Sequence, residues 1–393
     1  MKILVATFTF FPNKDGVSEA ASAQVKAFQA QGWNVDVATE PTSPTRNSLN
    51  WMGAKIHEFA ITGSPYFQDP YKGRAVADYC DFLRSGDWDV IIFHGYSWPL
   101  YLAVSFLEKI RSKKILVSHG YGALVWIPVP RFPFGLLYLA FAAWQSLQML
   151  GWIHKIDRWV FLSPRRDFRA FYDHWLATRI QYPGITIIPN GVELADGHRN
   201  KRTFRIELGI SQSSPLFLCV ANYAKRKDQG YAVRAFRRAK ISGAHMVFIG
   251  SEFNESSAQF QKEDAPLAAA NPAGTIHWME KVDREKTLQA IADCDVFVLS
   301  ANHEAQPISL LEAMRESKPW IARNAGCISE LPGGVCVFSE KQMALEMRRL
   351  AQDPEARIYL GKIGLNSVCA QYSRGAYNNA FSQLILELVS SPR

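Results

Sequence analysis

The sequence predicts an α/β protein of two doubly wound domains, each with a parallel sheet between layers of helices. With 393 residues, the chain is too long for a single hydrophobic core. Short uncharged, β-prone runs alternate with helical segments through both halves, as in βαβ units. A polar stretch from Ala195 to Thr203 separates the halves. We therefore predict domains at residues 1–194 and 195–372.

The first half opens with a predicted βαβ unit. Lys2–Ala6 predicts a strand, and Asn34–Ala38 predicts the next one. Between them Ser18 is a candidate cap for a helix that ends near Gln31. The connecting loop lacks the Gly-x-Gly-x-x-Gly spacing, which disfavours a dinucleotide-dependent dehydrogenase.

Two histidines follow predicted strands of the first half. His94 follows Asp89–Phe93, and His119 follows Lys114–Val117 and Ser118. Parallel strands present their carboxyl ends at one edge of a sheet, where open α/β folds bind ligands. Both histidines are therefore candidate site residues, although a loop histidine is more often structural, and His94 is the weaker candidate.

Residues 132–153 contain no charged side chain and several aromatic ones. The length approaches that of a membrane span, but prolines, glycines and glutamines interrupt the segment. We predict a helix partly buried in the first domain. An aromatic surface that meets a membrane or a lipid-linked acceptor is the alternative.

The first half ends with two more predicted strands, at 158–163 and 185–188, and with the sharp exit Pro189-Asn190-Gly191. The second half repeats the alternation, with predicted strands at 216–220, 245–250 and 275–279. Three consecutive cations, Lys225, Arg226 and Lys227, follow the first of these strands. Such a run is usually solvated, but here it lies at the ligand-binding edge of the predicted sheet.

The most informative stretch runs from Ser300 to Met314. It follows a predicted buried strand, Val296–Leu299, and Pro307 stands where a helix can begin. A helix N-terminus suits a phosphate, because its amide groups are unpaired. Glu304 in the loop and Glu312 in the helix each offer a carboxylate that can accept two hydroxyl hydrogen bonds. Phosphate and diol recognition together predict a nucleotide-sugar site.

This stretch resembles the signature of the retaining GT-B-fold glycosyltransferases known as group 1, or family 4, which include bacterial mannosyl- and glucosyltransferases and sucrose synthase. The matching residues are Glu304, Glu312, Ala313-Met314 and Pro319. Ser317 departs from the pattern, because the family usually has glycine there. The string Ile188-Pro189-Asn190-Gly191-Val192 and the downstream Gly326 and Glu330 also match.

The resemblance implies a role for each matching position. Glu304 and His119 would contact the donor sugar, Glu312 the ribose, and Lys227 the diphosphate. Asn222 stands where the family has arginine, so Lys225 or Arg226 would have to reach in instead. The remaining donor-binding candidates are Gly16 in the first loop, Met279 beside the base, and the helix tip Ile308, Ser309 and Leu310. The final helix, about 373–393, would cross back onto the first domain.

Composition limits the ligands that the protein can be expected to bind and the compartment in which it is expected. The net charge of +8 includes no basic arm that indicates nucleic acid, but it fits an anionic substrate or an anionic membrane surface. The six cysteines form no Cys-x-x-Cys pair, which predicts buried thiols in a reducing compartment. The chain begins directly with a strand, so we expect a cytoplasmic protein, with a peripheral position at the inner face of the membrane as a second option. Asp293 and Asp295 have a metal-binding spacing, but they lead into a buried strand, and we predict neither a metal nor a cofactor.

The expected function is metal-independent hexosyl transfer, with retention, from a nucleoside-diphosphate sugar to a glycan or lipid-linked acceptor, in surface polysaccharide or glycolipid synthesis. A non-catalytic nucleotide-sugar-binding protein is the first alternative, and Asn222 is its best support. A GT-B-fold sugar-nucleotide epimerase is the second, and the Glu-Ala-Met pattern disfavours it.

Overall fold

The chain forms two compact units. A computed structural model describes residues 1–13, 15–43, 45–63, 71–120, 143–144, 146–166, 171–194 and 203–391. Unit 1 comprises Met1–Asn190 and Gly375–Arg393, and unit 2 comprises Gly191–Arg374. The division falls between Asn190 and Gly191, and the C-terminal segment belongs to unit 1. Residues 195–202 of the predicted linker lie outside the described residues.

Unit 1 is built on an eight-stranded sheet in which only the β3–β4 pair is antiparallel. The spatial order is β3-β4-β2-β1-β5-β6-β7-β8. The strands are β1 Lys2–Ala6, β2 Asn34–Thr39, β3 Asn50–Trp51, β4 Ala54–Glu58, β5 Val90–His94, β6 Lys113–Val117, β7 Arg158–Phe161 and β8 Ile185–Ile187. Ile3, Leu4 and Val5 are all fully buried, because apolar groups pack on both faces of a parallel sheet.

The named helices of unit 1 are α1 Gly16–Ala30, α2 Arg74–Ser85, α3 Trp98–Ala103 and α4 Tyr172–Arg179. The predicted cap of α1 is wrong. Asp15, not Ser18, caps the helix, since the Asp15 carboxylate accepts hydrogen bonds from the amides of Val17 and Ser18. The Ser18 hydroxyl instead donates to the carbonyl of Asn13 at 2.8 Å. Aspartate and serine are equally good caps, so composition alone did not distinguish them.

Most of the uncharged segment 132–153 lies outside the described residues. The part that is described includes a helical stretch at 146–150, in which Met149 is buried and Leu147 is 67% exposed. Among the helices that the structure describes, none has the length and hydropathy needed to cross a membrane.

Unit 2 has a six-stranded, wholly parallel sheet in the order β11-β10-β9-β12-β13-β14. Its strands are β9 Leu216–Val220, β10 Ala244–Gly250, β11 Gly274–Glu280, β12 Val296–Leu299, β13 Trp320–Arg323 and β14 Gly334–Val337. Strand β9 lies between β10 and β12, so the connections from β9 and β12 run in opposite directions from that point. Such a switch point opens a crevice at the carboxyl ends of the strands.

The helices of unit 2 are α5 Thr203–Glu207, α6 Gln229–Ala239, α7 Glu255–Ala270, α8 Arg284–Asp293, α9 Ile308–Arg315, α10 Glu340–Gln352 and α11 Pro354–Ala370. A last helix, α12 Arg374–Ser390, returns the chain to unit 1. Its buried face includes Tyr377, Phe381 and Ile385, which pack in the same cluster as β1 and α1.

The two ends of helix α9 differ, and only the C-terminal end has a well-defined capping motif. Pro307 is the N-cap, one residue before the helix, and contributes no side-chain cap. At the other end the Ser317 amide donates to the Met314 carbonyl at 3.0 Å, and the Lys318 amide donates to the Ala313 carbonyl at 2.9 Å. These two bonds form a Schellman motif, whose central residue is left-handed. Ser317 has φ +55°, which explains why glycine suits this position.

Candidate functional site

The crevice in unit 2 brings Lys227 and Glu304 into contact. Lys227 lies in a 3₁₀ turn after β9, and Glu304 lies in the loop after β12. The Lys227 ammonium forms an ion pair with Oε1 of Glu304, and both side chains are largely buried. A buried charge is retained only with such a partner, so each group positions the other.

Backbone hydrogen bonds hold these two loops together. The Asn302 amide donates to the Arg226 carbonyl at 3.0 Å, and the Ser300 hydroxyl donates to the Lys227 carbonyl at 3.0 Å. The pairing of β9 with β12 brings the loops side by side. The Lys227–Glu304 pair is therefore held by two loops that are hydrogen-bonded to each other and that follow neighbouring strands.

Gly326 supports Glu304 from behind. It has φ +55°, and a Cβ at this position would lie 2.0 Å from the Glu304 carbonyl oxygen and 2.6 Å from that of Ala305. The next residue, Cys327, donates its amide to the Ala305 carbonyl at 3.0 Å. Only glycine allows both this backbone conformation and this close approach.

Glu312 is paired with a residue that the sequence did not single out. Its carboxylate, on α9, is buried and receives both terminal nitrogens of Arg284, with 3.2 Å between Nη1 and Oε2. Arg284 is the first residue of α8, and its side chain is 50% exposed. Such a two-point contact fixes the plane of the carboxylate and leaves it lone pairs for other donors.

The loop after β9 contains two more predicted site residues, Asn222 and Arg226. Arg226 and Asn222 both point their side chains to solvent, and neither forms an ion pair or side-chain hydrogen bond in the described part of the chain. The Asn222 carbonyl accepts a hydrogen bond from Gln229 at 3.1 Å.

His303, which the sequence analysis missed, lies beside Glu304. Burial lowers the pKa of His303, and the Arg226 and Lys227 charges lower it further, against the opposing effect of Glu304.

The predicted phosphate and base positions are only partly available. No side chain caps the N-terminus of α9, but the Leu310 amide already donates to the Pro307 carbonyl at 3.2 Å. Of the three predicted tip residues, Ile308 and Ser309 are therefore the better donors. The Met279 carbonyl accepts a hydrogen bond from the Tyr223 hydroxyl at 2.8 Å, so this backbone group is already engaged.

In unit 1, His119 and His94 are in direct contact. Nε2 of His119 lies 2.9 Å from Nδ1 of His94, and the rings stack with an interplanar angle of 18°. His94 is fully buried at the end of β5, whereas His119 is partly exposed. Burial lowers the pKa of His119 to about 4, although the Asp15 carboxylate opposes this, so the ring is neutral at physiological pH.

A second network holds the loop that carries His119. The Asp173 carboxylate, buried on α4, accepts hydrogen bonds from the hydroxyls of Ser118 and Tyr96. The Ser118 Oγ in turn accepts the Gly120 amide at 3.2 Å. Burial raises the pKa of Asp173 to about 6 despite these hydrogen bonds.

Gly16 is the first residue of α1, and its φ is not left-handed. No atom lies within 4 Å of an added Cβ, so the space beside it is open. Asp15, however, already occupies the amides of Val17 and Ser18. An anion there would meet the Asp15 charge, so the geometry favours a hydroxyl-bearing group over a phosphate beside Gly16.

Comparison with known proteins finds a family match for the second half of the chain. Residues 200–365 match the family model described as glycosyl transferases group 1. Over 315 residues the chain is 22% identical to the GDP-mannose-dependent monoacylated alpha-(1-6)-phosphatidylinositol monomannoside mannosyltransferase of Corynebacterium glutamicum, with 75% of each chain covered.

Two solved structures share the whole architecture. Sucrose-phosphate synthase from Thermosynechococcus elongatus matches with a TM-score of 0.78 and 16% identity over 100% of both chains. Anabaena HepE in complex with UDP-glucose matches with a TM-score of 0.70 and 14% identity, over 98% of this chain and 100% of that chain. The whole chain therefore has the GT-B fold, and its residues 200–365 match the group 1 glycosyl transferases.

The predicted site residues fall into two sets. Unit 2 contains Lys227 and Glu304 in contact, while Glu312 pairs separately with Arg284. Unit 1 contains His119 and Gly16 at the carboxyl edge of its own sheet. Sequence reasoning missed Arg284 and His303, whose only local signal is that each follows a strand at this edge.

The Asp293–Asp295 pair has a structural role. Asp293 accepts the Phe204 amide at 2.8 Å, and Asp295 accepts both the Arg205 guanidinium at 2.6 Å and the Leu216 amide at 2.8 Å. In the described ranges no cluster of three or more His, Cys, Asp or Glu residues could hold a metal ion. All six cysteines are free thiols, and Cys369 is exposed.

Proposed function

We propose that the protein is a retaining, metal-independent hexosyltransferase that moves a sugar from a nucleoside-diphosphate sugar to an acceptor hydroxyl. The buried Lys227–Glu304 pair at the switch point of unit 2 carries this proposal. It puts a cation, for a diphosphate, next to a carboxylate, for sugar hydroxyls, where an open α/β sheet binds ligands.

The pair would work by exchange of partners. A diphosphate that enters the crevice competes for the Lys227 ammonium, and Glu304 is then released to accept hydrogen bonds from the donor sugar. Lys227 and the uncapped tip of α9 would stabilise the charge that develops on the departing diphosphate. Catalysis then depends on positioned charges and on the orientation of the two substrates.

Glu312 and Arg284 would serve the ribose end of the donor. Arg284 donates to both carboxylate oxygens of Glu312. The lone pairs that remain on these oxygens suit the two ribose hydroxyls. His119 would contact the sugar from unit 1, and the open space beside Gly16 would face the acceptor.

For the acceptor we propose a lipid-linked or glycan hydroxyl in surface polysaccharide or glycolipid synthesis. The curated relative from Corynebacterium glutamicum is named for transfer to a phosphatidylinositol monomannoside. The net charge of +8 suits an anionic membrane surface. Flotation with vesicles of phosphatidylglycerol and, in parallel, of neutral phosphatidylcholine tests this part, since only the anionic vesicles should retain the protein.

A non-catalytic nucleotide-sugar-binding protein is the second candidate, and Asn222 favours it. The family's arginine is absent there, and Asn222 supplies no charge. Arg226, exposed in the same loop, offers a replacement cation. Arg226→Ala should therefore lower turnover in the enzyme, whereas the binding protein would show donor affinity and no product.

The experiment is a transfer assay with UDP-, GDP-, ADP- and dTDP-sugars and a panel of glycan and lipid acceptors, with and without EDTA. Lys227→Ala and Glu304→Ala should each lower turnover by about 100-fold or more, as expected for the loss of one preorganised charge contact. Lys341→Ala is the matched control, because this lysine is exposed on α10 and is not among the predicted site residues. NMR of the product anomer tests retention.

Near-normal turnover in folded Lys227 and Glu304 variants would refute the assigned roles. An inverted product anomer would refute retention, and inhibition by EDTA that added metal reverses would refute metal independence. Tight donor binding without any product across the panel would favour the second candidate.

A further inference from the structure

A chain of hydrogen bonds connects His119 to the last helix of the protein. Nδ1 of His94 lies 2.9 Å from Nε2 of His119, and Nε2 of His94 lies 3.0 Å from Oε1 of Gln24. The Gln24 amide nitrogen donates to the Tyr377 hydroxyl at 2.9 Å. Gln24 is on α1 and Tyr377 is on α12, so three parts of unit 1 meet at this chain.

The chain has a defined direction. An amide oxygen can only accept, so Nε2 of His94 carries the hydrogen that Gln24 receives. In a neutral imidazole the other nitrogen is then an acceptor, so Nδ1 of His94 must receive its hydrogen from Nε2 of His119. His119 is therefore protonated on Nε2, and its Nδ1 carries a lone pair.

Burial keeps both rings neutral and the direction intact. Gln24, His94 and Tyr377 are each at most 3% exposed. Burial lowers the pKa of His94 well below its usual value, and the neighbouring His119 opposes a positive charge on His94 as well. Asp15 is the charged group that faces His119, and its opposing effect leaves the pKa of that ring at about 4.

Nδ1 of His119 is the free end of the chain. Within the described part of the structure, His119 forms no hydrogen bond besides the one through Nε2. The ring is partly exposed, and an added Cβ on Gly95 would lie 4.0 Å from its Cδ2 atom. Among the described residues, the Nδ1 lone pair is therefore available to a ligand.

We propose that Tyr377, Gln24 and His94 are positioning residues that hold His119 as the Nε2–H tautomer, so that its Nδ1 accepts a hydrogen bond from a hydroxyl of the bound sugar. This rests on the proposed function, in which His119 contacts the donor sugar. The ligand group at this point is then a hydrogen-bond donor and not a carboxylate or a phosphate. The C-terminal helix takes part in the site through Tyr377, without touching the ligand.

The first test reads the tautomer directly and needs no substrate. Protein labelled with ¹⁵N-histidine is studied by long-range ¹H–¹⁵N NMR, and His119→Gln assigns the signal. We expect an unprotonated Nδ1 and a protonated Nε2 for His119 at neutral pH. Gln24→Met should mix the two tautomers, because His94 then loses the acceptor that fixes its own tautomer.

Gln31→Met is the matched control. Gln31 also joins α1 to α12, through the Ser382 hydroxyl, but it has no connection to the histidines. It should leave the His119 signal unaltered. A protonated Nδ1 in the wild-type protein, or a His119 signal that does not respond to Gln24→Met, would overturn the proposal.

The second test is a double-mutant cycle on kcat/KM for the donor. Gln24→Met should lower kcat/KM by about tenfold, the factor that one lost hydrogen bond supplies. In the His119→Ala background the same substitution should have no further effect, because the relay acts only through His119. Additive losses would overturn the relay. If no donor is turned over at all, the proposed function fails, and the NMR result alone still decides the tautomer.

Discussion

Gly326 lies close to the loop that carries Glu304, and the importance of this contact for stability can be measured by adding one methyl group at Gly326. In Gly326→Ala the new Cβ would lie 2.0 Å from the Glu304 carbonyl oxygen, well inside van der Waals contact. The atoms it meets belong to backbone, so no side-chain rotation can relieve the overlap. The loop that carries Glu304 must move, or Gly326 must leave its left-handed conformation.

Two contributions add in this variant. A left-handed conformation costs about 1 kcal/mol for alanine relative to glycine. Overpacking against fixed backbone adds about 1–3 kcal/mol. The free energy of unfolding should therefore fall by about 2–4 kcal/mol, which corresponds to roughly 5–15 °C for a domain of this size.

The matched control is Gly209→Ala in the same unit. Gly209 has φ +65°, but no atom lies within 4 Å of an added Cβ. This variant should lose only the conformational contribution, about 1 kcal/mol. The difference between the two variants in urea unfolding, followed by circular dichroism, then isolates the contact with the Glu304 loop.

Turnover gives a second measurement on the same pair of variants. Below its melting temperature, folded Gly326→Ala should lose donor turnover because Glu304 has moved, whereas Gly209→Ala should keep it. Equal stability losses in the two variants would refute the reasoning, since they would mean that the loop yields to the methyl group without strain.

Three further predictions follow from other contacts. Ser317→Gly should raise the free energy of unfolding by about 0.5–1 kcal/mol in urea titrations, because glycine suits the left-handed end of α9, and an unchanged midpoint would contradict this. The pKa of Asp173 is raised to about 6, so its contribution to stability is present below pH 4 and is lost as the pH rises through 6. Wild type should therefore lose up to about 3 kcal/mol relative to Asp173→Asn between pH 4 and 7, and parallel stability curves would exclude this. Arg284→Ala should raise KM for the donor about tenfold with little change in kcat, because Glu312 loses the partner that orients it. Lys286→Ala on the same helix is the control, and a lower KM in Arg284→Ala would mean that Arg284 competes with the ribose.

Local sequence patterns were sufficient to predict the features that depend only on neighbouring residues. The uncharged run Val296–Leu299 is β12, as predicted, and α9 begins directly after Pro307. The two glutamates fall in a loop and on a helix, as their spacing indicates. The error at α1 arose at the same level, because Asp15 and Ser18 were both adequate caps and only the path of the loop selected one.

The sequence by itself determined the α/β alternation, the polar stretch between the halves and the residue types at the carboxyl ends of the strands, because each depends on periodicity within about ten residues. The tertiary structure alone decided the partners. Lys227 meets Glu304 because β9 pairs with β12, and Gln24 meets Tyr377 across 353 positions because α12 packs with β1 and α1 in one core. Strand order and helix packing follow from how the whole core is filled, so no local pattern specifies which distant side chain completes a charge pair or fixes a tautomer.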